Sequence, residues 1–301
     1  MKLIYFLYKS YARFIAGRSE KSMFKWSRFI AMIMYRVLHY RRKVVRKNLQ
    51  NAFPDRDMRW IKGVERDFYI HLSSVFHEMM FSLNFHVINF LERIHYTNVH
   101  ALAAYEKDKR PVMILAGHHQ NWELLGLTLP LTSMGKSYGA ARRQSDSFFN
   151  QEVNRLRSRM GLEIVPSESF YRTLLKSEEE RILAFLIADQ SPPASENYYR
   201  VDFLNQPTAV LQGPEQIARR LNMAVFYADI ERTAPGRYKV TFQLITDRPN
   251  DLEEGVIAQR YMKHLEESIQ KSPSAWLWSH RRWKHNLSSA TNTSSEEENM
   301  R

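Results

Sequence analysis

The chain has no cysteine among its 301 residues. That excludes disulfides, thiolate metal sites and a cysteine acyl-enzyme, and it is compatible with a reducing compartment. Any group transfer must be direct or use another nucleophile. Long apolar runs are also missing. A membrane-spanning helix needs ~18 uninterrupted apolar residues, and Lys9, Arg13, Lys25, Arg28 and Arg36 break up the most apolar segment. No apolar core is followed by a small-residue cleavage site, so a cleaved signal peptide is not expected. Acids are nearly absent from the first fifty residues: 13 Lys and Arg stand there against Glu20 alone, a local balance of +12. The other 251 residues carry 31 side chains of each sign and balance to zero, so the whole net charge of +12 lies at the N-terminus.

The same fifty residues are rich in aromatic and aliphatic side chains, among them Tyr5-Phe6-Leu7-Tyr8, Trp26 and Phe29 to Tyr35. Lys and Arg interleaved with Trp, Phe and Tyr suit amphipathic helices seated among anionic headgroups. Nucleic acid is the rival partner for a basic segment. Ile30, Met32, Ile33 and Met34 have no use against phosphate, so an anionic membrane is favoured and no nucleic-acid partner is expected. An ordinary core helix with a solvated basic face remains the plain alternative.

Further along, Trp60, Ile61, Val64, Phe68, Tyr69, Leu72, Val75, Phe76 and Met79 recur at intervals of three and four, which predicts long amphipathic helices. After about residue 100 short apolar runs alternate with helical stretches. Strands are expected at 112–116, 137–141, 162–165 and 182–188, with helices at 121–133, 148–160 and 169–176 between and after them. This is the pattern of βαβ units around a largely parallel sheet. A helix at 213–221, strands at 224–230 and 238–245, and a helix at 252–271 follow. Ala234-Pro235-Gly236 marks a turn between antiparallel strands. The reading is therefore an α/β fold, a largely parallel central sheet flanked by helices, with an N-terminal helical membrane-associating annex. Residues 1–50 form the annex, 51–286 the α/β domain and 287–301 a disordered polar tail.

The most informative residues are Gly117-His118-His119-Gln120-Asn121-Trp122-Glu123, directly after the apolar run Val112 to Ala116. A strand that ends at glycine and hands over to a helix delivers polar side chains to the carboxyl edge of an α/β sheet, where such folds place their chemistry. His118 titrates near neutral pH and is the candidate general base. Glu123 is the expected partner, fixing the tautomer and stabilising the imidazolium. His119 and Glu123, four apart, could instead form a helix-stabilising pair. The His-Glu-x-x-His pattern of zinc proteases is absent, so no metal is expected. Gly135-Lys136-Ser137-Tyr138-Gly139 matches the G-x-S-x-G of serine hydrolases. A nucleophile elbow, however, puts its serine between a strand and the following helix, and here the order is reversed. A lipid esterase is thus the runner-up, and a non-enzymatic membrane-binding protein the third possibility.

Several blocks together resemble one family, the bacterial lipid A late acyltransferases (lauroyl and myristoyl transferases) of the lysophospholipid acyltransferase superfamily. They are Tyr40 to Pro54, the His-x4-Glu of His118 to Glu123, Arg142, Arg159-x-Gly161 and Ala188-Asp189-Gln190. Phe203 to Pro214 with Thr208 and Gly213-Pro214 follows, and then Trp278-x-x-Arg281-Arg282-Trp283-Lys284. The resemblance spans roughly Tyr40 to Asn286. His119 and Gln120 stand where the familiar pattern has Phe and Gly, and the N-terminal segment is less hydrophobic than the usual anchor. The resemblance implies that the histidine and acid promote attack of a lipid hydroxyl on an acyl thioester carried by acyl carrier protein or coenzyme A. It implies no cofactor, a lipid acceptor such as a lipid A precursor, and a site on the cytoplasmic face of the cell inner membrane. Arg142, Arg143 and Arg159 are candidates for holding phosphate or oxyanion oxygens. Asp189 and Gln190 close a strand at the same sheet edge as His118, although a structural acid paired with an arginine would look the same. Thr208 and Gly213 are either substrate contacts or a loop closing onto a helix start.

Overall fold

The computed structural model describes residues 2–284 apart from 134, 142–153, 156, 179–180 and 194–195, and the backbone alone at 2–5 and 106. The tail from Ser288 onward, expected to be disordered, lies outside the described residues, as does most of the expected helix 148–160.

The N-terminal third is helical: α1 (Lys2–Ala16), α2 (Glu20–Met32), α3 (Arg42–Ala52), the 24-residue α4 (Met58–Phe81) and the short α5 (Val87–Leu91). Ser19 and Asp57 cap α2 and α4, each side chain accepting a backbone N–H three residues on. Such caps satisfy donors that the first helical turn leaves free. α1 and α2 pack along α4. Met23, Ser27 and Ala31 of α2 turn inward, while Phe6, Leu7, Trp26, Phe29, Met32, Val37 and Leu38 remain exposed. No described helix is long and apolar enough to cross a membrane.

Among the described residues nine strands follow, β1 (Ile94–Tyr96), β2 (Val112–Ala116), β3 (Lys136–Ala141), β4 (Leu162–Pro166), β5 (Ile182–Ile187), β6 (Tyr198–Phe203), β7 (Gln206–Leu211), β8 (Ala224–Ala234) and β9 (Arg237–Thr246). Seven form one sheet in the order β1-β9-β8-β2-β5-β3-β4, and only the β8–β9 pair is antiparallel. β2, at the centre, is buried along its whole length, as expected where helices cover both faces of a parallel sheet. Its side chains alternate. Met113 and Leu115 join the core built with α4, α8 (Phe170–Leu175) and α10 (Val256–Lys271), whereas Val112, Ile114 and Ala116 join the opposite core with α6 (His100–Lys107) and α7 (Trp122–Thr128).

The expected strands and their largely parallel arrangement match the structure, and Gly236 takes the left-handed conformation (φ 68°) at the β8–β9 turn. Three strands have no counterpart among those expected from the sequence. β1 is a three-residue edge strand. β6 and β7 form a separate hairpin across Leu204-Asn205, both left-handed (φ 50° and 58°), as a two-residue hairpin turn requires. Leucine at such a position carries no turn signal.

Charge also organises the helical region. Glu65 of α4 is fully buried and accepts Arg42 and Arg46 of α3, each at 2.8 Å. Removing one side of a buried ion pair leaves uncompensated charge. Glu65→Ala is expected to cost ~3 kcal/mol, read as a lowered melting temperature, whereas Lys62→Ala one turn earlier, exposed at the surface, should leave it nearly unchanged.

Candidate active site

β2 and β5 are neighbours and run parallel, with Ala116 opposite Ile187. Two residues further along each chain, His118 and Asp189 leave the sheet side by side. His118 Nδ1 lies 2.6 Å from Asp189 Oδ1, and the His118 backbone N–H donates to Oδ2 at 2.8 Å. Trp276 Nε1 donates to the same Oδ2 at 2.7 Å. Asp189 is only 2 % exposed. Burying a carboxylate costs several kcal/mol, and three hydrogen bonds to a charged acceptor, each worth ~1.5–3 kcal/mol, offset it. Burial alone would push the Asp189 carboxyl up, but the His118 imidazole and the three donors outweigh it and hold it at about 2. An ionised Asp189 keeps the proton on Nδ1, so His118 Nε2 is left as the basic lone pair. The amide Nε2 of Gln190 approaches that nitrogen to 3.3 Å, and the Trp122 ring packs edge-on against the imidazole at 5.3 Å.

The surroundings hold the pair in place. A Cβ at Gly117 would lie 2.4 Å from Leu265 Cδ1 and 3.3 Å from Asp189 Oδ2, so any side chain there would have to displace the buried Leu265 beside Asp189. The segment bearing Trp276 pairs with the chain after His118: Gln120 N–H donates to Ala275 O and Leu277 N–H to His118 O. Trp276 packs in turn against Trp278, Phe203 and Trp283.

His118 opens onto a cavity of about 460 Å³, within the range of small-molecule sites. Its polar lining includes His118, Glu123, Arg157, Gln190 and Glu196, and its apolar lining Gly126, Gly139, Leu162, Ile164 and Phe185. At Gly139 a Cβ would come within 3.1 Å of Leu162, and at Gly126 within 3.3 Å of Phe185, so the two glycines let these side chains approach the backbone closely.

Glu123 takes a different partner from the one expected. Arg157 grips its carboxylate through Nη2 (2.9 Å) and Nε (3.2 Å), and Trp122 Nε1 lies 3.3 Å away. The tautomer of His118 is therefore set by Asp189 and not by Glu123, because Nδ1 faces the adjacent strand while Glu123 sits in the first turn of α7. His118 and Glu123 still line the same cavity. The reading of Asp189 as an acid paired with an arginine is likewise replaced by its pairing with His118.

The remaining candidates divide. Gln190 lines the cavity, and so does Gly213, the residue that opens α9 (Gly213–Arg220). Arg159 does not line it: its guanidinium donates to the carbonyls of Ser82 (3.0 Å), Leu83 (2.8 Å) and Phe85 (2.6 Å) at the end of α4. Thr208 is buried, donates to Gln206 O and accepts Trp283 Nε1, both at 2.8 Å, away from the cavity wall. Arg142 and Arg143 lie outside the described residues. The alternative nucleophile Ser137 is buried near the start of β3, beside Leu183 of β5. In a parallel array that is the sheet edge opposite His118, so no nucleophile elbow exists there. Arg157 is one of three alternating arginines, Arg155, Arg157 and Arg159, that the sequence offers together with nothing to single one out, and Trp276, just before the tryptophan-rich block, is a contributor the sequence does not reveal. Among the described residues no group of three His, Asp or Glu side chains is placed to hold a metal ion.

Chemically, the arrangement supplies a base with a fixed tautomer, a buried carboxylate to stabilise the imidazolium, and an amide donor beside the basic nitrogen, with base and amide both on residues that line the cavity. A family model described as "Bacterial lipid A biosynthesis acyltransferase" matches residues 1–285. No curated protein matches the chain.

Two expectations follow from this geometry. Asp189→Asn should lower turnover by ~10² or more, as loss of a correctly poised base does, and should do so with circular dichroism unchanged. The neighbouring histidines are held neutral by burial, His71 near 3 and His119 near 4. As pH falls below the unfolded value of about 6.5 the unfolded chain takes up protons first, so their contribution is complete above pH 6.5 and is lost toward pH 4. Thermal unfolding should show stability dropping by on the order of 2 kcal/mol per histidine between pH 7 and pH 5, with His119→Gln flattening the profile.

Proposed function

The chain belongs to the bacterial lipid A biosynthesis acyltransferase family, and we propose on that premise that it moves a fatty acyl group from a thioester of acyl carrier protein or coenzyme A to a hydroxyl of a lipid A precursor. It is an enzyme, an acyltransferase. The observation that carries the finer reading is the His118–Asp189 pair, with Nε2, beside the Gln190 amide, turned away from Asp189 in a residue that lines the cavity. The acyl chain lies against the apolar lining that includes Gly126, Gly139 and Leu162. His118 Nε2 takes the proton of the acceptor hydroxyl as its oxygen bonds to the thioester carbonyl carbon. Gln190 and the Arg157–Glu123 pair face the carbonyl oxygen and the leaving sulfur. When the tetrahedral intermediate collapses, the C–S bond breaks and the imidazolium returns the proton to the departing thiolate. Arg142 and Arg143, next in the chain after β3, bind anionic groups of donor or acceptor. Arg159, occupied by three carbonyls, and Thr208, occupied by Trp283, act on the fold around the site.

On this reading the chemistry takes place at the cytoplasmic face of the inner membrane, with the annex as the point of attachment. Exposed Phe29, Met32, Val37 and Leu38 alongside Arg28, Arg36 and Lys43 support monotopic attachment, apolar side chains entering the bilayer surface and cations resting on anionic headgroups. A lipid esterase is disfavoured by the position of Ser137 at the far edge of the sheet.

Mass spectrometry of membrane lipids from cells with and without the protein tests the reading: a family of species heavier by one acyl group should vanish in its absence and also with His118→Ala. Unchanged lipids would end it. For the annex, 1 M salt should release only part of the protein from membranes, since screening weakens the charges and spares the apolar face. Complete release would remove the apolar half of that claim.

A further inference from the structure

The cavity does not account for Glu78. This residue lies near the end of α4, is 7 % exposed, and does not line the cavity that His118 faces. Its carboxylate accepts Asn121 Nδ2 at 2.8 Å and the Tyr238 hydroxyl at 2.9 and 3.1 Å. Its nearest charged neighbour is Arg232, at 3.7 Å and stacked beside Phe24 of the annex. That is a loose counter-charge for a group so deeply placed. Burial pushes the Glu78 carboxyl up, against the opposing pull of Arg232 and its two hydrogen-bond donors. A hydrophobic side chain of similar volume would serve packing at least as well, so the carboxylate calls for another reason.

The reason lies in what Asn121 does with its other end. Its Oδ1 accepts the Leu124 N–H at 2.9 Å and caps α7. Glu78 therefore grips the amide whose oxygen starts the helix, and the first two residues of that helix are Trp122, packed on the His118 ring, and Glu123, paired with Arg157. Resting on the acyltransferase reading above, we propose that Glu78 is a positioning residue for acyl transfer: through Asn121 it fixes the rotation of the first turn of α7, and with it Trp122 and Glu123 against His118 and the thioester. It touches no substrate.

Asn121→Ser separates this role from simple capping. Serine caps as well as asparagine but cannot extend an amide to Glu78. With the full-length protein in detergent, dodecanoyl thioesters of coenzyme A and of acyl carrier protein are supplied with a tetraacylated lipid A precursor. Asn121→Ser and Glu78→Ala should each lower kcat about tenfold or more while KM for the thioester stays within about twofold, the signature of lost alignment in the transition state. Glu78→Gln, which can still accept the Asn121 amide, should recover most of the rate. The double variant should be no slower than the slower single variant, within about twofold, because both cut one connection. A wild-type rate for Asn121→Ser, or losses that multiply in the double variant, would overturn the proposal. If Glu78→Ala does not fold, Asn121→Ser and Glu78→Gln decide it alone. Failure of the wild type to transfer from either thioester would instead remove the acyltransferase reading, a result distinct from any pattern among the variants.

Discussion

A single register relation, Ala116 opposite Ile187, underlies the site. Because β2 and β5 are parallel and adjacent, extending each by two residues puts an imidazole and a carboxylate within 2.6 Å at the sheet edge. A one-residue slip would turn one of the two side chains to the opposite face of the sheet. The alternating burial of β2 into two separate cores prevents that slip, since Val112, Ile114 and Ala116 belong to one core and Met113 and Leu115 to the other. The hydrophobic cores thus hold the chemistry in register as well as the fold together.

Around this pair the protein uses arginine mainly as internal fastening. Arg42 and Arg46 neutralise buried Glu65, Arg157 holds Glu123, and Arg159 ties the end of α4 to the chain just before Gly161. Each guanidinium meets its partners with several donors in a fixed plane, which lysine could not reproduce. Buried Arg282 carries this furthest: one nitrogen donates to Ala209 O at 2.7 Å, and desolvation lowers its pKa to about 10. Basic composition is therefore a poor guide to which cations face a substrate. Near His118, the one among these arginines that reaches the cavity is Arg157.

The annex shows a similar division of labour. Its inward face is docked on α4 through small and apolar residues, with Ser27 O accepting the Ser73 hydroxyl at 2.8 Å. Its outward face keeps the aromatics and cations. Glu20, the only acid of the first fifty residues, is held by Arg93 and Arg237, so the annex is fastened to the sheet by the one residue whose sign differs from its neighbours.

Much of this was legible in the sequence because it depends on local periodicity. Apolar runs of five or six residues between helical stretches specify a parallel sheet, and a glycine-histidine step after such a run places His118 at its carboxyl edge, whatever the rest of the chain does. The family followed from blocks of residues in order. The partner of His118 did not: Glu123 is five positions away in sequence and Asp189 seventy-one, and only the adjacency of β2 and β5 brings the second closer to Nδ1. The same holds for Arg157, Trp276 and Glu78, whose roles come from contacts between distant elements, and for Arg159, drawn off to three carbonyls just beyond α4. Residue order determined the elements and put His118 at the sheet edge; the packing of strands and helices decided which charges meet, because an electrostatic contact depends on distance in space and carries no mark in the chain.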